Sequence, residues 1–146
     1  MIIATGTHLA EISKMAEAAY PAECCGLLAG ANHSASDVRI TRVVPSDNVA
    51  QTDTRDSFEV DPKVRFDLMR ALTGTEERII GHYHSHPDHP AEPSATDLSM
   101  VYEPDLYWLI ASVNKHAADE IKAFRALPDG SAFTSVPIRI VKEKAR

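Results

Sequence analysis

The sequence has no long apolar run and no cluster of basic residues, and both absences narrow what the protein can do. No apolar stretch approaches the roughly 20 residues that a membrane-spanning helix needs. The net charge is -6 and Lys and Arg are not grouped, so we expect no nucleic-acid-binding surface. The N-terminus also lacks a basic segment followed by a long apolar one, so we expect no signal peptide.

Cysteine is scarce, with only the adjacent pair Cys24 and Cys25. Neighbouring cysteines are poorly placed to bridge each other without strain, and unbridged cysteines fit a reducing, cytoplasmic location. Both lie in an apolar run, where a free cysteine usually acts as a small hydrophobic residue, so we favour core packing. The less favoured alternative is a cysteine peptidase that pairs one of them with a histidine.

The chain is long enough for one domain with a proper core, and we predict a single domain over residues 1–146. Apolar residues at helical spacing predict helices over residues 7–20 and from Pro62 to near Gly74, and Ser94 starts a third, short helix. Asp61 is expected to cap the second helix. The apolar face of that helix is expected to contain Val64, Phe66, Leu68, Met69 and Leu72.

Strands are predicted at residues 24–29, 38–44, 57–60, 78–84, 106–113, 121–127 and 132–141. Pro137 suggests that the last strand lies at an edge or contains a bulge. The prediction is a mixed α/β domain with helices covering a sheet.

Three good metal ligands, His84, His86 and Asp97, lie within one short segment. Residues i and i+2 of a strand project from the same face, so both imidazoles can point at one ion. A proline-punctuated loop after Pro87 then returns Asp97 in the first turn of a helix. Three protein ligands leave the fourth position of a tetrahedral zinc ion for water, as in catalytic zinc sites. We therefore predict one zinc ion per chain.

Other interpretations of this segment compete with that one. Asp97 follows Ser94 at the spacing of a capping box, with Asp in place of Glu, and could simply cap the helix. His82 shares a strand face with the two ligand histidines, so three alternate histidines could bind zinc without Asp97. A His89 ligand would lie in the loop. We favour the first set, because three ligands converging by chance is improbable, and we expect His82 at the core edge or behind the ligands.

The spacing His-x-His-Pro, six residues, then Ser-x-x-Asp resembles the JAMM (MPN+) zinc metalloproteases, over roughly residues 7–127. The motif positions are His84, His86, Pro87, Ser94 and Asp97. The segment Pro-Ala-Glu-Cys-Cys-Gly around Glu23 is similar to the family's upstream glutamate at the start of a strand. Because the chain is close to a minimal domain, it looks like the stand-alone prokaryotic branch. The resemblance implies a single MPN/JAMM domain with a curved mixed sheet flanked by helices, related to the cytidine-deaminase architecture.

The resemblance also implies a reaction, in which zinc-bound water attacks a peptide or isopeptide carbonyl. It assigns Glu23 as the group that takes the water's proton and gives it to the leaving amine, and Ser94 as the hydroxyl donor to the oxyanion. Without the family match, Glu23 would be an ordinary exposed glutamate and Ser94 a plain helix cap. The implied substrate is a small ubiquitin-like or sulfur-carrier protein, cleaved after its C-terminal Gly-Gly.

Two other functions fit the sequence less well. A zinc deaminase needs His-x-Glu and Pro-Cys-x-x-Cys, and neither occurs in the sequence. A non-catalytic MPN-type scaffold resembles the fold but has lost ligands, whereas all five motif positions and Glu23 are present here. We therefore favour a zinc metallopeptidase. The polar stretch over residues 48–55 is a candidate cover for its cleft.

Overall fold

The computed structural model describes residues 1–143, so the last three residues of the predicted domain lie outside the described part. Eight strands and three helices follow one another as β1 (Ile2–Thr5), α1 (Gly6–Ala19), β2 (Cys25–Asn32), β3 (Val38–Ser46), α2 (Pro62–Leu72), β4 (Arg78–Pro87), α3 (Ala95–Ser99), β5 (Tyr107–Val113), β6 (Ala118–Ala126), β7 (Phe133–Val136) and β8 (Ile138–Val141). Within the described residues, no helix is both long and apolar enough to cross a membrane.

All eight strands form one mixed sheet in the order β7-β6-β5-β4-β2-β3-β1-β8. Strand β4 is central, antiparallel to β2 and parallel to β5. The two outermost strands, β7 and β8, are separated in the chain by Pro137 alone. Because neighbours in sequence stand at opposite ends of the strand order, the sheet must curl until its two edges approach each other. The prediction of a curved mixed sheet flanked by helices is confirmed.

The helices begin where the sequence provides caps. The Asp61 side chain accepts a hydrogen bond from the Lys63 backbone N–H at 2.9 Å, and Pro62 occupies the first turn, as predicted. Helix α1 follows Thr5, whose hydroxyl accepts from the backbone N–H of His8 at 3.2 Å. Both helices are therefore fixed at their N-termini by local chemistry.

The two long helices pack on opposite faces of the sheet. Leu28 points toward the α1 side, where it joins the buried Ile12 and Ala16 in the largest apolar cluster. The flanking residues Leu27 and Ala29 point the other way and pack against Leu68 and Leu72 of α2. The histidines of β4 share the α2 face, because the intervening Tyr83 belongs to the α1 side.

Two expectations about α2 and the neighbouring chain were wrong. Phe66 and Met69 are 60% and 54% exposed, because Leu68 and Leu72 already fill the narrow contact with the sheet. Residues 57–60 do not form a strand; Val60 makes only an isolated bridge to Asn48, and Phe58 packs on the face of the sheet against His84.

The ends of the chain also differ from the prediction. Strand β1 was not predicted, yet it lies between β3 and β8, and both neighbours are parallel to it. The single strand expected over residues 132–141 is divided at Pro137 into β7, which pairs with β6, and β8, which pairs with β1. A proline cannot donate to a ladder, so this break agrees with the expected irregularity there.

Candidate functional site

Strand β4 carries both candidate histidine ligands inside the sheet. It extends to Pro87, three residues beyond the predicted end, because β5 pairs with it as far as Val113. His84 and His86 therefore both keep strand geometry and project from the same face. Their Nε2 atoms lie 3.0 Å apart, with His84 completely buried and His86 nearly so.

Asp97 reaches the same point from helix α3. Its Oδ2 lies 3.3 Å from His84 Nε2 and 3.1 Å from His86 Nε2. The same oxygen accepts a hydrogen bond from the Ser94 backbone N–H at 3.0 Å, and Ser94 Oγ accepts from the Asp97 N–H at 3.0 Å. This is the complete capping box. Capping and convergence on the histidines, which were alternatives in the sequence, therefore occur together.

The three donor atoms have the spacing expected for ligands of one metal ion. Zinc bonds of about 2.0–2.2 Å in a tetrahedron separate neighbouring ligand atoms by about 3.3 Å. The observed separations run from 3.0 to 3.3 Å. The donor set of two imidazole nitrogens and one carboxylate oxygen is also one that zinc accepts. His84, His86 and Asp97 could therefore hold such an ion.

The electrostatics of the cluster favour the metal-binding protonation states of Asp97 and His84, but not that of His86. Burial would raise the pKa of Asp97, but hydrogen bonds from His84 and His86 outweigh it and hold that pKa well below its usual range. Burial lowers the pKa of His84 and keeps its ring neutral, whereas for His86 the Asp97 carboxylate outweighs burial and raises the pKa. An ionised carboxylate and a neutral imidazole are the metal-binding forms.

Glu23 lies beside this cluster, immediately before β2. It is 4% exposed, and its Oε1 has no hydrogen-bond partner among the described residues. Burial raises its pKa to about 8, opposed by the charge of His86 and helped by Asp97 and Asp56. Single ligand atoms of Glu23, His84 and His86 lie within 4.8 Å of one another. A buried carboxyl without a partner, close to a metal-binding pair, is suited to proton transfer.

Two neighbours orient the imidazole rings. The Nδ1 of His86 lies 3.1 Å from the Pro90 carbonyl oxygen, which selects the Nδ1–H tautomer and leaves Nε2 free as a ligand. The ring of Phe58 stacks on His84, with centroids 4.1 Å apart and an interplanar angle of 14°. Phe58 was not singled out in the sequence, because nothing local shows that it returns to β4.

His82 and His89 do not join the cluster. The His82 ring packs edge-on against Trp108, with ring centroids 4.3 Å apart. Burial, together with the nearby charge of His84, lowers the pKa of His82 to about 3. Its ring is therefore packed against Trp108 and not placed against Asp97. His89 is exposed in the loop and lines the cleft in front of the cluster.

The cysteines and Ser85 are buried. Cys24 lies in the largest apolar cluster, and burial raises the pKa of both thiols, that of Cys25 to about 12. Thiols held in the protonated form are poor nucleophiles, so the packing interpretation is favoured over a cysteine peptidase. Ser85 lies between His84 and His86 and faces the other side of the sheet, where its Oγ accepts a hydrogen bond from the Cys24 backbone N–H at 2.8 Å.

Two surface grooves meet at Glu23. One, with a volume of about 390 Å³, lies in front of the ligands and includes His86, Ser94 and Asp56. The other, of about 460 Å³, runs between the end of α1 and the end of β3 and includes Ala22 and Asn48. Glu23 is the residue that lines both grooves.

Comparison with known proteins agrees with this geometry. Residues 6–127 match the family described as prokaryotic homologs of the JAB domain. A CysO-cysteine peptidase from Mycobacterium bovis is 31% identical over 124 residues, which cover 85% of this chain and 80% of that protein. A desampylase from Haloferax volcanii is 39% identical over 93 residues, and the match spans only 63% of either protein.

Solved structures show the same fold. A protein from Desulfitobacterium hafniense superposes with a TM-score of 0.82 at 30% identity, over 98% of this chain and 94% of that one. A JAB1/MPN domain protein from Archaeoglobus fulgidus, 19% identical, superposes with a TM-score of 0.59 over 97% of this chain and 100% of that one. The motif, the fold and the family match lead to one conclusion: this chain belongs to the family of prokaryotic JAB-domain proteins, the stand-alone prokaryotic branch of the JAMM group.

Proposed function

We propose that the protein is a zinc-dependent peptidase or isopeptidase that cleaves after the C-terminal Gly-Gly of a small ubiquitin-like or sulfur-carrier protein. The observation that carries the proposal is the meeting of three donor atoms from His84, His86 and Asp97 beside the unpartnered carboxyl of Glu23. A structural zinc site would be closed by a fourth protein ligand and would need no buried base. The arrangement therefore favours catalysis over a scaffold role.

A zinc ion held by the three ligands would bring the pKa of bound water near neutrality and polarise the substrate carbonyl. Glu23 takes the proton from the attacking water and passes it to the departing amine. Its buried setting suits the second half of this transfer, because a pKa of about 8 lets the carboxyl hold a proton near neutral pH until the amine departs, while the ionised fraction acts as the base in the first half. The protein thus supplies the proton carrier.

Ser94 stabilises the negative charge that develops on the carbonyl oxygen. Its Oγ already accepts a hydrogen bond from the Asp97 N–H, so the hydroxyl proton is free to donate elsewhere. Ser94 and Glu23 both line the cleft in front of the ligands. Removal of one such oxyanion donor typically reduces turnover by about 10²–10³-fold.

The substrate class is supported by two relatives and by the shape of the site. One relative is named for cleaving CysO-cysteine and the other is named a desampylase, and the first matches most of this chain. The two grooves that meet at Glu23 would take a thin, extended tail such as Gly-Gly across the reacting centre. A reducing cytoplasm is the proposed location, because both cysteines are free.

The metal assignment is tested by elemental analysis of protein expressed with ample zinc. The native protein should contain one zinc ion per chain, and His84→Ala should contain almost none. A native protein that purifies without zinc under these conditions would refute the metallopeptidase and favour the scaffold.

The reaction is tested with a sulfur-carrier protein that has a short extension after Gly-Gly. Mass spectrometry should show release of the extension by the native protein. Glu23→Gln should keep its zinc and lose turnover by about 10²–10⁴-fold, the usual range for a general acid–base. Cleavage at another bond, or by Glu23→Gln at the native rate, would contradict the substrate or the base respectively.

A further inference from the structure

Glu23 is held by hydrogen bonds to its backbone that come from a distant loop. Strand β2 begins only at Cys25, so Glu23 lies just outside the ladder. Its N–H donates to the Thr54 carbonyl oxygen at 2.7 Å, and its own carbonyl oxygen accepts from Asn48 Nδ2 at 3.1 Å. Both partners belong to residues 47–59, which we call the clamp loop.

Asn48 uses its whole side-chain amide in this loop. Its Nδ2 also donates to the Ser57 carbonyl oxygen at 2.9 Å. Its Oδ1 accepts from the backbone N–H groups of Ala50 and Glu59, each at 3.1 Å. These four hydrogen bonds fix the orientation of the amide, because its two N–H donors face two carbonyls and its oxygen faces two N–H groups. No other side chain of this size has two such donors and one such acceptor.

The orientation of the Glu23 carboxyl depends on this backbone support. Because Oε1 has no hydrogen-bond partner among the described residues, no side-chain contact to that atom fixes its direction. On the other side, the Cys24 N–H donates to Ser85 Oγ, and the Ser85 N–H donates to the Cys24 carbonyl oxygen at 3.2 Å. Glu23 is therefore tied to β4 through Cys24 and to the clamp loop through Asn48.

We propose that Asn48 is a positioning residue for the reaction, which holds the backbone of Glu23 so that its carboxyl faces the ligand cluster. The inference rests on the proposed function, because it assumes that Glu23 moves the proton. A carboxyl displaced by about 1 Å from its productive position can lose about 10²-fold in rate, even when every catalytic group is present. Asn48 makes no hydrogen bond to the ligands, but its bonds to Ser57 and Glu59 flank Phe58, which stacks on His84, so the zinc content of each variant is measured beside kcat.

The test compares Asn48→Ala and Asn48→Asp with Gln51→Ala. Asn48→Asp keeps the shape and the two bonds that Oδ1 accepts, but replaces the donor amide by an oxygen facing two carbonyls. Gln51 is an exposed residue of the same loop whose side chain donates only to the Val49 carbonyl oxygen, at 3.2 Å. Both Asn48 variants should lose about 10- to 100-fold in kcat, with KM and zinc content unchanged, and Gln51→Ala should resemble the native protein.

A second measurement is independent of zinc and substrate. Amide hydrogen exchange, followed by NMR on the chelator-treated protein, should show faster exchange of the Glu23 N–H in both Asn48 variants than in Gln51→Ala. Leu72→Ala, a core variant of α2 outside the clamp loop, controls for general destabilisation. It should lower the Tm without lowering the kcat of the folded protein.

The outcomes separate this inference from the proposed function. Asn48 variants with native kcat and native Glu23 exchange would overturn the positioning role, even if Glu23→Gln is inactive. Full turnover by Glu23→Gln would instead overturn the base assignment and the catalytic consequence of Asn48. Exchange at Glu23 would still decide whether Asn48 holds that backbone.

Discussion

The proposed ligand segment and the proposed base are built in opposite ways. His84, His86 and Asp97 come from one short stretch, and the contacts that place Asp97 are the same ones that cap α3. Glu23 is far away in sequence, and its backbone is held by the clamp loop. The proposed ligands are thus placed by local structure, whereas the proposed base is placed by tertiary contacts, and only the first kind of placement can be recognised in a sequence.

Asp97→Asn tests whether ligation and capping can be separated within the ligand segment. The amide oxygen can still accept from the Ser94 N–H, so helix α3 should remain capped. Without the charge, zinc binding should fall sharply and turnover by about 10⁴-fold or more, because the ion activates the water. Zinc content, turnover and thermal unfolding measure the three effects. Native zinc content in this variant would show that Asp97 is not a ligand.

Ser94→Ala tests the same separation on the other half of the capping box. Loss of the oxyanion donor should reduce kcat by about 10²–10³-fold. Loss of the cap should lower the free energy of unfolding by about 1 kcal/mol. Ser94→Asp, which restores the cap but cannot donate, should recover stability without activity. Recovery of both in Ser94→Asp would assign Ser94 to capping alone.

Phe58→Leu tests the place where the two regions touch, because this clamp-loop ring stacks on His84. Loss of the flat surface should loosen the imidazole and weaken zinc affinity by about 10-fold, as changes behind metal ligands typically do. Competition with a chromophoric chelator measures the affinity. Phe66→Leu is the matched control, since Phe66 is exposed on α2. Equal zinc affinities in the two variants would show that the clamp loop supports Glu23 but not His84.

The smallest expected effect concerns the stability of the metal-free protein. Burial raises the pKa of Glu23 from 4.5 to about 8, so the folded state holds a proton that the unfolded chain releases. The associated stability is fully present below pH 4.5 and is lost as the pH rises toward 8. Between about pH 6.5 and 7.5 the free energy of unfolding should fall by about 1 kcal/mol more than in Glu23→Gln. Urea unfolding with chelator present measures the difference, and parallel curves would contradict it.

The contrast also explains what the sequence could predict. The caps at Asp61 and Ser94, the alternation in β4 and the ligand spacing are local, so both long helices and the ligand segment were expected near their observed positions. The family resemblance suggested Glu23, but no local pattern indicates how its backbone is held. Asn48 could not be singled out within its polar loop, because its role depends on a hydrogen bond to the carbonyl of Glu23, 25 residues earlier in the chain.

Other differences arose from pairing between distant parts of the chain. Strand β1 is four residues long and depends on β3 and β8 for its position, so its own pattern is too short to stand out. Phe66 and Met69 fit a helical apolar stripe, but the sheet offers contact for only part of that stripe. In each case tertiary geometry decides where a plausible local pattern ends.

The position of Pro137 between the two outermost strands has a consequence for folding. Strand β1 lies between β3 and β8, so it can complete its pairing only after β8 has been synthesised. Closing this contact links residues about 136 positions apart, from Ile2 to Ile138, and such long-range closure slows folding. During synthesis, β1 would keep an unpaired edge until β8 leaves the ribosome. A chain shortened just before Ile138 would keep that edge open permanently, which makes it a site for self-association.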